Sequence, residues 1–212
     1  MFMIFKAVIF DLDGTLICTA PDHRYKLVAR ILGDLGTCAS PISIDKFWFE
    51  TDRSAIIKKD FGVEPAEFWK LFRIYDTVDL RKRFTRPYYD VGVINDIRQK
   101  GIKTGIVTGA PLHIADFEIG MLGPDNYDSI IIAHTLNGYK PKPHPHGLEE
   151  CITKLGVQRH EAIYVGNSDE DTLTAKNAQV LDVIVDRQEY ECNIVPSRKI
   201  NTLIELKPIL HL

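Results

Sequence analysis

Residues 5–16 read FKAVIFDLDGTL, an apolar run that ends in two aspartates and a glycine. The run Phe5–Phe10 predicts a buried strand, because it is short, apolar and followed at once by turn-forming residues. Residues i and i+2 of extended chain project to the same side, so Asp11 and Asp13 can act on one reacting centre. Gly14 lets the backbone turn sharply after the strand. The segment therefore predicts a pair of carboxylates at the carboxyl end of a buried strand.

The same pattern continues along the chain. Short apolar runs alternate with segments of helical length, and this alternation is typical of βαβ units. The further predicted strands are Ile102–Val107, Ser129–Ala133, Ala162–Val165 and Val183–Val185, and the predicted helices are Val91–Gln99, Leu112–Met121, His146–Leu155 and Glu170–Ala178. The fold class that we expect is α/β, with a Rossmann-like parallel sheet core and helices on both of its faces.

One region lacks strands and carries helical periodicity instead. Its predicted helices are His23–Leu32, Ile44–Trp48, Arg53–Phe61 and Glu67–Val78, with Asp22 as a candidate cap of the first and Pro65 in the first turn of the last. We therefore expect an α/β core domain of residues 1–16 and 87–212, and an inserted helical cap domain of residues 17–86.

Composition excludes several classes of protein. The chain has 212 residues, of which 45% are hydrophobic, and a net charge of −3, so neither intrinsic disorder nor a strongly basic nucleic-acid or membrane partner is expected. The four cysteines form no CxxC pair, and the apolar N-terminus lacks the features of a signal peptide. We expect a cytoplasmic protein that binds neither nucleic acid nor membrane.

Further polar residues follow the other predicted strands, where ligands bind in open α/β sheets. The second strand ends in Thr108-Gly109, the fourth in Gly-Asn-Ser-Asp-Glu-Asp at 166–171, and YKPKPHP spans residues 139–145. An Asp-x-Asp-Gly segment alone is more often a simple turn. Carboxylates, a hydroxyl and a lysine that converge on one sheet edge instead indicate an anionic substrate and a hard divalent cation.

These four segments, in this order, resemble the motifs of the haloacid dehalogenase (HAD) superfamily. They are DLDGTL at 11–16, Thr108 after an apolar strand, a lysine in KPxP, and GNSDED at 166–171. The helical insertion has the position and size of the C1 cap of phosphoglycolate phosphatase-like members. The resemblance covers essentially the whole chain.

The resemblance implies a role for each matching residue. Asp11 would be the nucleophile that forms an aspartyl-phosphate, and Asp13 the general acid and base. Thr108, with Gly109 beside it, would bind a phosphoryl oxygen, and Lys142 would neutralise the crowded anions. Arg53 lies where related caps place an arginine that reads the substrate.

The lysine motif occurs twice in overlap, at Lys140–Pro143 and Lys142–Pro145. Only the second has an apolar residue, Leu148, three positions beyond its last proline, as the family pattern requires. Lys142 is therefore the predicted motif lysine and Lys140 the alternative.

The resemblance also implies a Mg²⁺ cofactor, bound by Asp11, the backbone carbonyl of Asp13, Asn167 and Asp171, with Asp169 able to assist. The family usually has aspartate where this chain has Asn167. An amide keeps the oxygen but loses the charge, so we expect weakened Mg²⁺ binding.

The predicted function is Mg²⁺-dependent hydrolysis of a small phosphate monoester, a phosphorylated metabolite, through an aspartyl-phosphate. Asp13 argues against the dehalogenase branch of the family. Two alternatives stay open: a phosphomutase of the same fold, and a binding or regulatory protein in which Asn167 has weakened catalysis.

Overall fold

The computed structural model describes residues 5–212, and the predicted core domain's first four residues lie outside that range. The chain divides into two compact units. One contains the described residues up to Cys18 together with Pro87–Leu212, and the other is Thr19–Arg86. The predicted insertion began at Ile17 rather than Thr19, and its role as a cap over a substrate stays a prediction.

Strands and helices alternate through most of the chain. The strands are β1 (Ala7–Phe10), β2 (Ile17–Thr19), β3 (Thr85–Pro87), β4 (Lys103–Thr108), β5 (Ser129–Ile132), β6 (Ala162–Gly166), β7 (Leu181–Val185) and β8 (Arg198–Ile200). The helices are α1 (Pro21–Asp34), α2 (Pro41–Phe49), α3 (Arg53–Lys59), α4 (Pro65–Tyr75), α5 (Val78–Arg81), α6 (Val93–Gln99), α7 (Leu112–Leu122), α8 (His146–Leu155), α9 (Asp169–Ala178) and α10 (Leu206–Leu210).

Within residues 5–212, six parallel strands form one sheet in the order β5-β4-β1-β6-β7-β8. All four residues of β1 are buried, which fits a central strand covered on both faces. The five predicted strands correspond to β1, β4, β5, β6 and β7, so the predicted parallel sheet is confirmed. Strands β2 and β3, where the chain passes between the two units, form a separate short pair.

Helices pack on both faces of this sheet, as predicted. On one face, Val8 and Phe10 join a cluster with residues of α6, α7 and α10. On the other face, Ala7 and Ile9 join a cluster with residues of α8 and α9. Alternate residues of β1 thus serve opposite clusters, and the carboxyl end of β1 is fixed between its neighbours β4 and β6.

The helical unit has its own core, in which Phe47, Phe61 and Phe68 are buried together. Pro65 lies in the first turn of α4, as predicted. The prediction that Asp22 caps the first helix is wrong: α1 begins at Pro21 after Ala20, and Asp22 lies within the first turn.

The predicted helix Glu67–Val78 is divided in the structure. Helix α4 ends at Tyr75, and α5 starts at Val78. The reason is Asp76, whose backbone leaves the helical region so that its carboxylate binds Arg81 at 2.8 and 2.9 Å. Among the described residues, no helix is long and apolar enough to span a membrane.

Candidate active site

Asp11 occupies the position directly after β1, in the middle of the sheet edge. Its backbone N–H donates to the Val165 carbonyl at 2.8 Å, which extends the pairing of β1 with β6 by one residue. On the other side of β1, Phe10 pairs with Ile106 of β4. The strand ends that carry Asp11, Thr108 and Asn167 therefore belong to three adjacent strands.

Lys142 connects the first and fourth of the predicted motifs. Its buried ammonium forms ion pairs with Asp11 Oδ1 and, at 2.8 Å, with Asp171 Oδ1. Lys140 is exposed. The structure thus brings Lys142, and not the exposed Lys140, to the candidate nucleophile.

The surroundings affect the ionisation of Asp11, Lys142 and Asp171 differently. Burial raises the pKa of Asp11 to about 7, although Lys142 acts in the opposite direction. Burial also opposes the charges of Lys142 and Asp171, but the attraction of Asp11 and Asp171 raises the pKa of Lys142, and the attraction of Lys142 lowers the pKa of Asp171. Asp171 is therefore the settled ionic partner of Lys142, whereas Asp11 carries a destabilised negative charge suited to attack on an electrophile.

Asp171 is held at both carboxylate oxygens. Oδ2 accepts hydrogen bonds from the backbone of Asn167 and from both the backbone and hydroxyl of Ser168, which caps α9. Oδ1 accepts from the buried Tyr164 hydroxyl at 3.1 Å. A Cβ at Gly166 would lie 2.2 Å from Asp171 Cβ, so only glycine permits this approach. Asp171 thus fixes both Lys142 and the turn that carries Asn167.

Asn167 contacts the turn that follows Asp11. Its Oδ1 lies 3.2 Å from the Thr15 hydroxyl, which also lies 3.4 Å from Asp11 Oδ2. A Cβ on Gly14, whose φ is +79°, would be 2.3 Å from Asn167 Nδ2. Thr15 was missed as a site residue, although its place inside the first motif was the signal that could have found it.

The other predicted site residues lie on three separate segments of the chain. Asp13 is half-buried, and its charge is one of those that raise the pKa of Asp11. Thr108 is buried at the end of β4, where its hydroxyl accepts from the Ala110 backbone at 3.1 Å, and Gly109 is exposed. Arg53 begins α3 and belongs to the helical unit.

Asp169 has a different environment from the other acidic residues of its motif. Its two carboxylate oxygens accept backbone hydrogen bonds from Asn193 at 3.0 Å and Ile194 at 2.8 Å. These bonds hold residues 193–194 against the start of α9. The structure therefore gives Asp169 partners outside the Asp11 trio.

The oxygens around Asp11 fit a hard divalent cation with few charged ligands. Within residues 5–212, no three His, Cys, Asp or Glu side chains are arranged to hold a metal ion. Asp11 and Asn167 nevertheless offer a carboxylate and an amide oxygen that both reach the Thr15 hydroxyl. Mg²⁺ accepts such oxygen ligands and retains several waters. The donor set therefore fits Mg²⁺, with less negative charge than a cluster of carboxylates would supply.

Comparison with known proteins gives consistent matches. The family model described as haloacid dehalogenase-like hydrolase matches residues 8–185. The pyrophosphatase PpaX of Halalkalibacterium halodurans is 27% identical over 86% of this chain and 84% of its own length. The phosphoglycolate phosphatase of Xanthomonas campestris pv. campestris strain 8004 is 26% identical over 82% of this chain and 79% of its own. The crystal structure of a HAD phosphatase from Thermococcus onnurineus superposes with a TM-score of 0.68 at 26% identity, covering 97% of this chain and 98% of that one.

Proposed function

The chain belongs to the haloacid dehalogenase-like hydrolase family, and from this premise we propose that it is a phosphatase that uses Asp11 as its nucleophile. The observation that carries the proposal is the buried trio of Asp11, Lys142 and Asp171. One ammonium serves two carboxylates, of which only Asp11 directly follows the central strand. The substrate class is a small phosphorylated metabolite.

The reaction would proceed in two displacements. A carboxylate oxygen of Asp11 attacks phosphorus, the bond to the leaving oxygen breaks, and Asp13 gives that oxygen its proton. In the second step, Asp13 takes a proton from water, whose oxygen attacks the same phosphorus. The bond from Asp11 to phosphorus breaks, inorganic phosphate leaves, and both carboxyl groups return to their starting states.

Lys142 reduces the repulsion that opposes this attack. A carboxylate and a phosphate about 4 Å apart repel by about 4 kcal/mol near a protein surface. A cation fixed against Asp11 Oδ1 offsets much of that repulsion without needing to reorganise during the reaction. Thr108, at the end of the neighbouring strand, would donate its hydroxyl to a phosphoryl oxygen, and Gly109 beside it leaves room for the phosphate.

We propose that Mg²⁺ is held by Asp11, Asn167 and the backbone carbonyl of Asp13. Asp171 lies next to these residues, because its Oδ2 accepts a hydrogen bond from the Asn167 backbone. Bound Mg²⁺ supplies further positive charge for the phosphoryl oxygens and orients them. Because Asn167 contributes no charge, we expect a weaker Mg²⁺ site than one with aspartate at this position.

The names of two relatives narrow the choice of substrate. One is named a pyrophosphatase and another a phosphoglycolate phosphatase, so both compounds are candidates for this chain. We propose that the helical unit, with Arg53 at the start of α3, reads the leaving group. A phosphomutase would differ only in its acceptor, a second hydroxyl in place of water, and would release little inorganic phosphate.

The test is phosphate release from p-nitrophenyl phosphate, phosphoglycolate and pyrophosphate, with and without Mg²⁺. We expect Mg²⁺-dependent release that Asp11→Asn abolishes. Asp125→Asn, at an exposed aspartate of the same unit, should leave it unchanged. Absence of release from all three compounds and a wider panel of phosphate esters would contradict the phosphatase proposal and favour a binding protein.

A further inference from the structure

Thr15 is held from behind by an arginine on a distant part of the chain. The Thr15 carbonyl accepts a hydrogen bond of 2.6 Å from Arg187 Nη2. The hydroxyl of the same residue contacts both Asp11 and Asn167. Thr15 therefore connects Arg187, two residues beyond β7, to the side chains after β1 and β6.

Arg187 is itself fixed by a buried carboxylate. Its terminal nitrogens donate to the two oxygens of Asp90 at 2.8 and 3.1 Å. The side chains are 6% and 0% exposed, so the pair is shielded from solvent. Asp90 Oδ2 also accepts from the Leu203 backbone at 2.8 Å. A planar guanidinium can make this two-pronged contact and still donate to a third group, whereas an ammonium lacks the fork.

An aromatic ring completes the environment of the guanidinium. Arg187 Cζ lies 3.7 Å from the centre of the Tyr88 ring, and the Tyr88 hydroxyl donates to Glu189 at 3.1 Å. The Tyr88 backbone donates to the Leu16 carbonyl at 2.9 Å. Arg187 thus has partners in the chain before the helical insertion, at Thr15, and after it, at Tyr88 and Asp90.

We propose that Arg187 is a positioning residue for Asp11 and Asn167, acting through Thr15. This inference rests on the proposed function, because it concerns the geometry of the same reaction. The turn is short: the Thr15 N–H donates to the Leu12 carbonyl at 3.2 Å and the Gly14 N–H to the Ile17 carbonyl at 2.7 Å. In so tight a turn, fixing the Thr15 carbonyl also fixes the direction of its side chain.

The consequence is a fixed separation between two oxygen donors. The Thr15 hydroxyl has one proton to share between Asp11 Oδ2 and Asn167 Oδ1, and it holds both oxygens close to itself. If the carbonyl is released, Thr15 can turn and the two oxygens can separate. Divalent-cation affinity and the rate of the chemical step then fall, while groups that bind the leaving part of the substrate are unaffected.

Two substitutions at Thr15 test this directly. Thr15→Val keeps the shape and removes the hydroxyl, and Thr15→Ser retains it. We expect Thr15→Val to weaken Mg²⁺ binding, measured by calorimetry without substrate, by roughly 10- to 100-fold, the usual effect of losing a group that orients a metal ligand. We expect kcat to fall by a similar factor with KM nearly unchanged, and Thr15→Ser to stay close to the wild type.

Arg187→Lys tests the arginine itself. It retains the charge opposite Asp90 and loses the fork that reaches Thr15, so we expect the same pattern as for Thr15→Val. Arg98→Lys is the matched control, because Arg98 also donates to a carboxylate, Asp128, and to a carbonyl, that of Asn126. It should alter neither Mg²⁺ affinity nor kcat.

Unchanged Mg²⁺ affinity and kcat in either Thr15→Val or Arg187→Lys, with only a lower melting temperature, would overturn the inference and leave Arg187 a structural residue. If Arg187→Lys does not fold, an unchanged Thr15→Val still overturns the inference, because the proposed effect of Arg187 depends on the Thr15 hydroxyl. Failure of the proposed function is separate: it would appear as a wild-type protein without turnover, whereas this inference fails when an active wild type and its variants behave alike.

Discussion

Lys142 Nζ lies 2.8 Å from Asp171 Oδ1 and pairs through the same nitrogen with Asp11 Oδ1. Asp11 directly follows β1 and Asp171 lies in the first turn of α9, and the side chains of both residues and of Lys142 are buried. One cation in contact with two buried anions leaves a net negative charge at this point. That negative charge attracts a divalent cation.

Removing the ammonium should affect both stability and activity. Lys142→Met keeps most of the volume but leaves Asp11 and Asp171 without their cation. Breaking a buried ion pair from one side costs about 3–5 kcal/mol, and losing a preorganised charge costs about 10²–10³-fold in kcat. Denaturant unfolding and phosphate release measure the two effects.

Lys140→Met is the control for this variant, since Lys140 is exposed and belongs to the overlapping copy of the same motif. It should leave stability and kcat unchanged. Equal losses in the two variants would show that the assignment of Lys142 is mistaken.

Asn167→Asp should tighten the Mg²⁺ requirement. The two side chains have the same shape, and the contact of Oδ1 with the Thr15 hydroxyl is retained. An added carboxylate raises the charge of the donor set, so we expect half-maximal activity at a Mg²⁺ concentration lower by about tenfold or more. Asn95→Asp, at an exposed position of α6, controls for charge alone. An unaltered Mg²⁺ titration in Asn167→Asp would contradict the proposed role of this residue.

Gly14→Ala should be more damaging than its positive φ alone explains. A left-handed conformation costs an alanine about 1–2 kcal/mol, and the new methyl group would also collide with Asn167. Gly101 has a similar φ of +74° with no atom within 4 Å of its virtual Cβ, so Gly101→Ala reports the conformational cost alone. We expect Gly14→Ala to lower the free energy of unfolding by about 1–3 kcal/mol more than Gly101→Ala does, which is the usual cost of overpacking. We also expect Gly14→Ala to need a higher Mg²⁺ concentration for half-maximal activity. Equal unfolding free energies would show that Asn167 moves away without cost.

The helical unit contains a buried charge whose contribution depends on pH. Burial opposes ionisation of Asp76, but His23, with Nε2 at 3.1 Å, and Arg81 outweigh it and lower its pKa. A carboxylate whose pKa is lowered by folding stabilises the folded state at pH values above its ordinary pKa of 3.8. This stabilisation is lost as the pH falls from 3.8 toward the folded-state pKa. Asp76→Asn should therefore destabilise by about 3–5 kcal/mol at pH 7, with the difference from wild type shrinking in acid.

Asp79→Asn is the corresponding control, because Asp79 pairs with Lys82 at 3.2 Å on the surface of the same unit, with its side chain 91% exposed. Unfolding curves at pH 7 and in the acid range should show little change for this variant. A pH-independent difference between wild type and Asp76→Asn would contradict the electrostatic explanation.

Five strands of the sheet could be predicted because each carries a short apolar run, and the run of the central strand β1 is buried throughout. Strand β8 shows the limit of that signal. Its three residues are Arg198, Lys199 and Ile200, of which only Ile200 is buried. A short, charged strand at the sheet edge carries no apolar run, and only its pairing with β7 makes it a strand. The break at Asp76 was missed for a related reason, since it depends on a tertiary contact with Arg81.

The site residues that belong to local sequence motifs could be predicted. Lys142 was identified by a proline pattern, and the structure brings it to Asp11. Arg187 has no such signal: its contact with Thr15 spans 172 positions and joins two segments with no recognisable spacing. A residue that contacts a backbone carbonyl requires no particular side chain at the position it contacts, so no sequence motif marks the pair. Such a contact can be identified only from the structure.

The measurement that tests the central claim most directly is mass spectrometry of the enzyme quenched in acid during turnover with Mg²⁺ and a phosphorylated substrate. The account predicts the added mass of one phosphoryl group on the wild type, located to the peptide that contains Asp11 and absent from Asp11→Asn. Turnover that continues in Asp11→Asn, or a phosphoryl group found only on another residue, would contradict it.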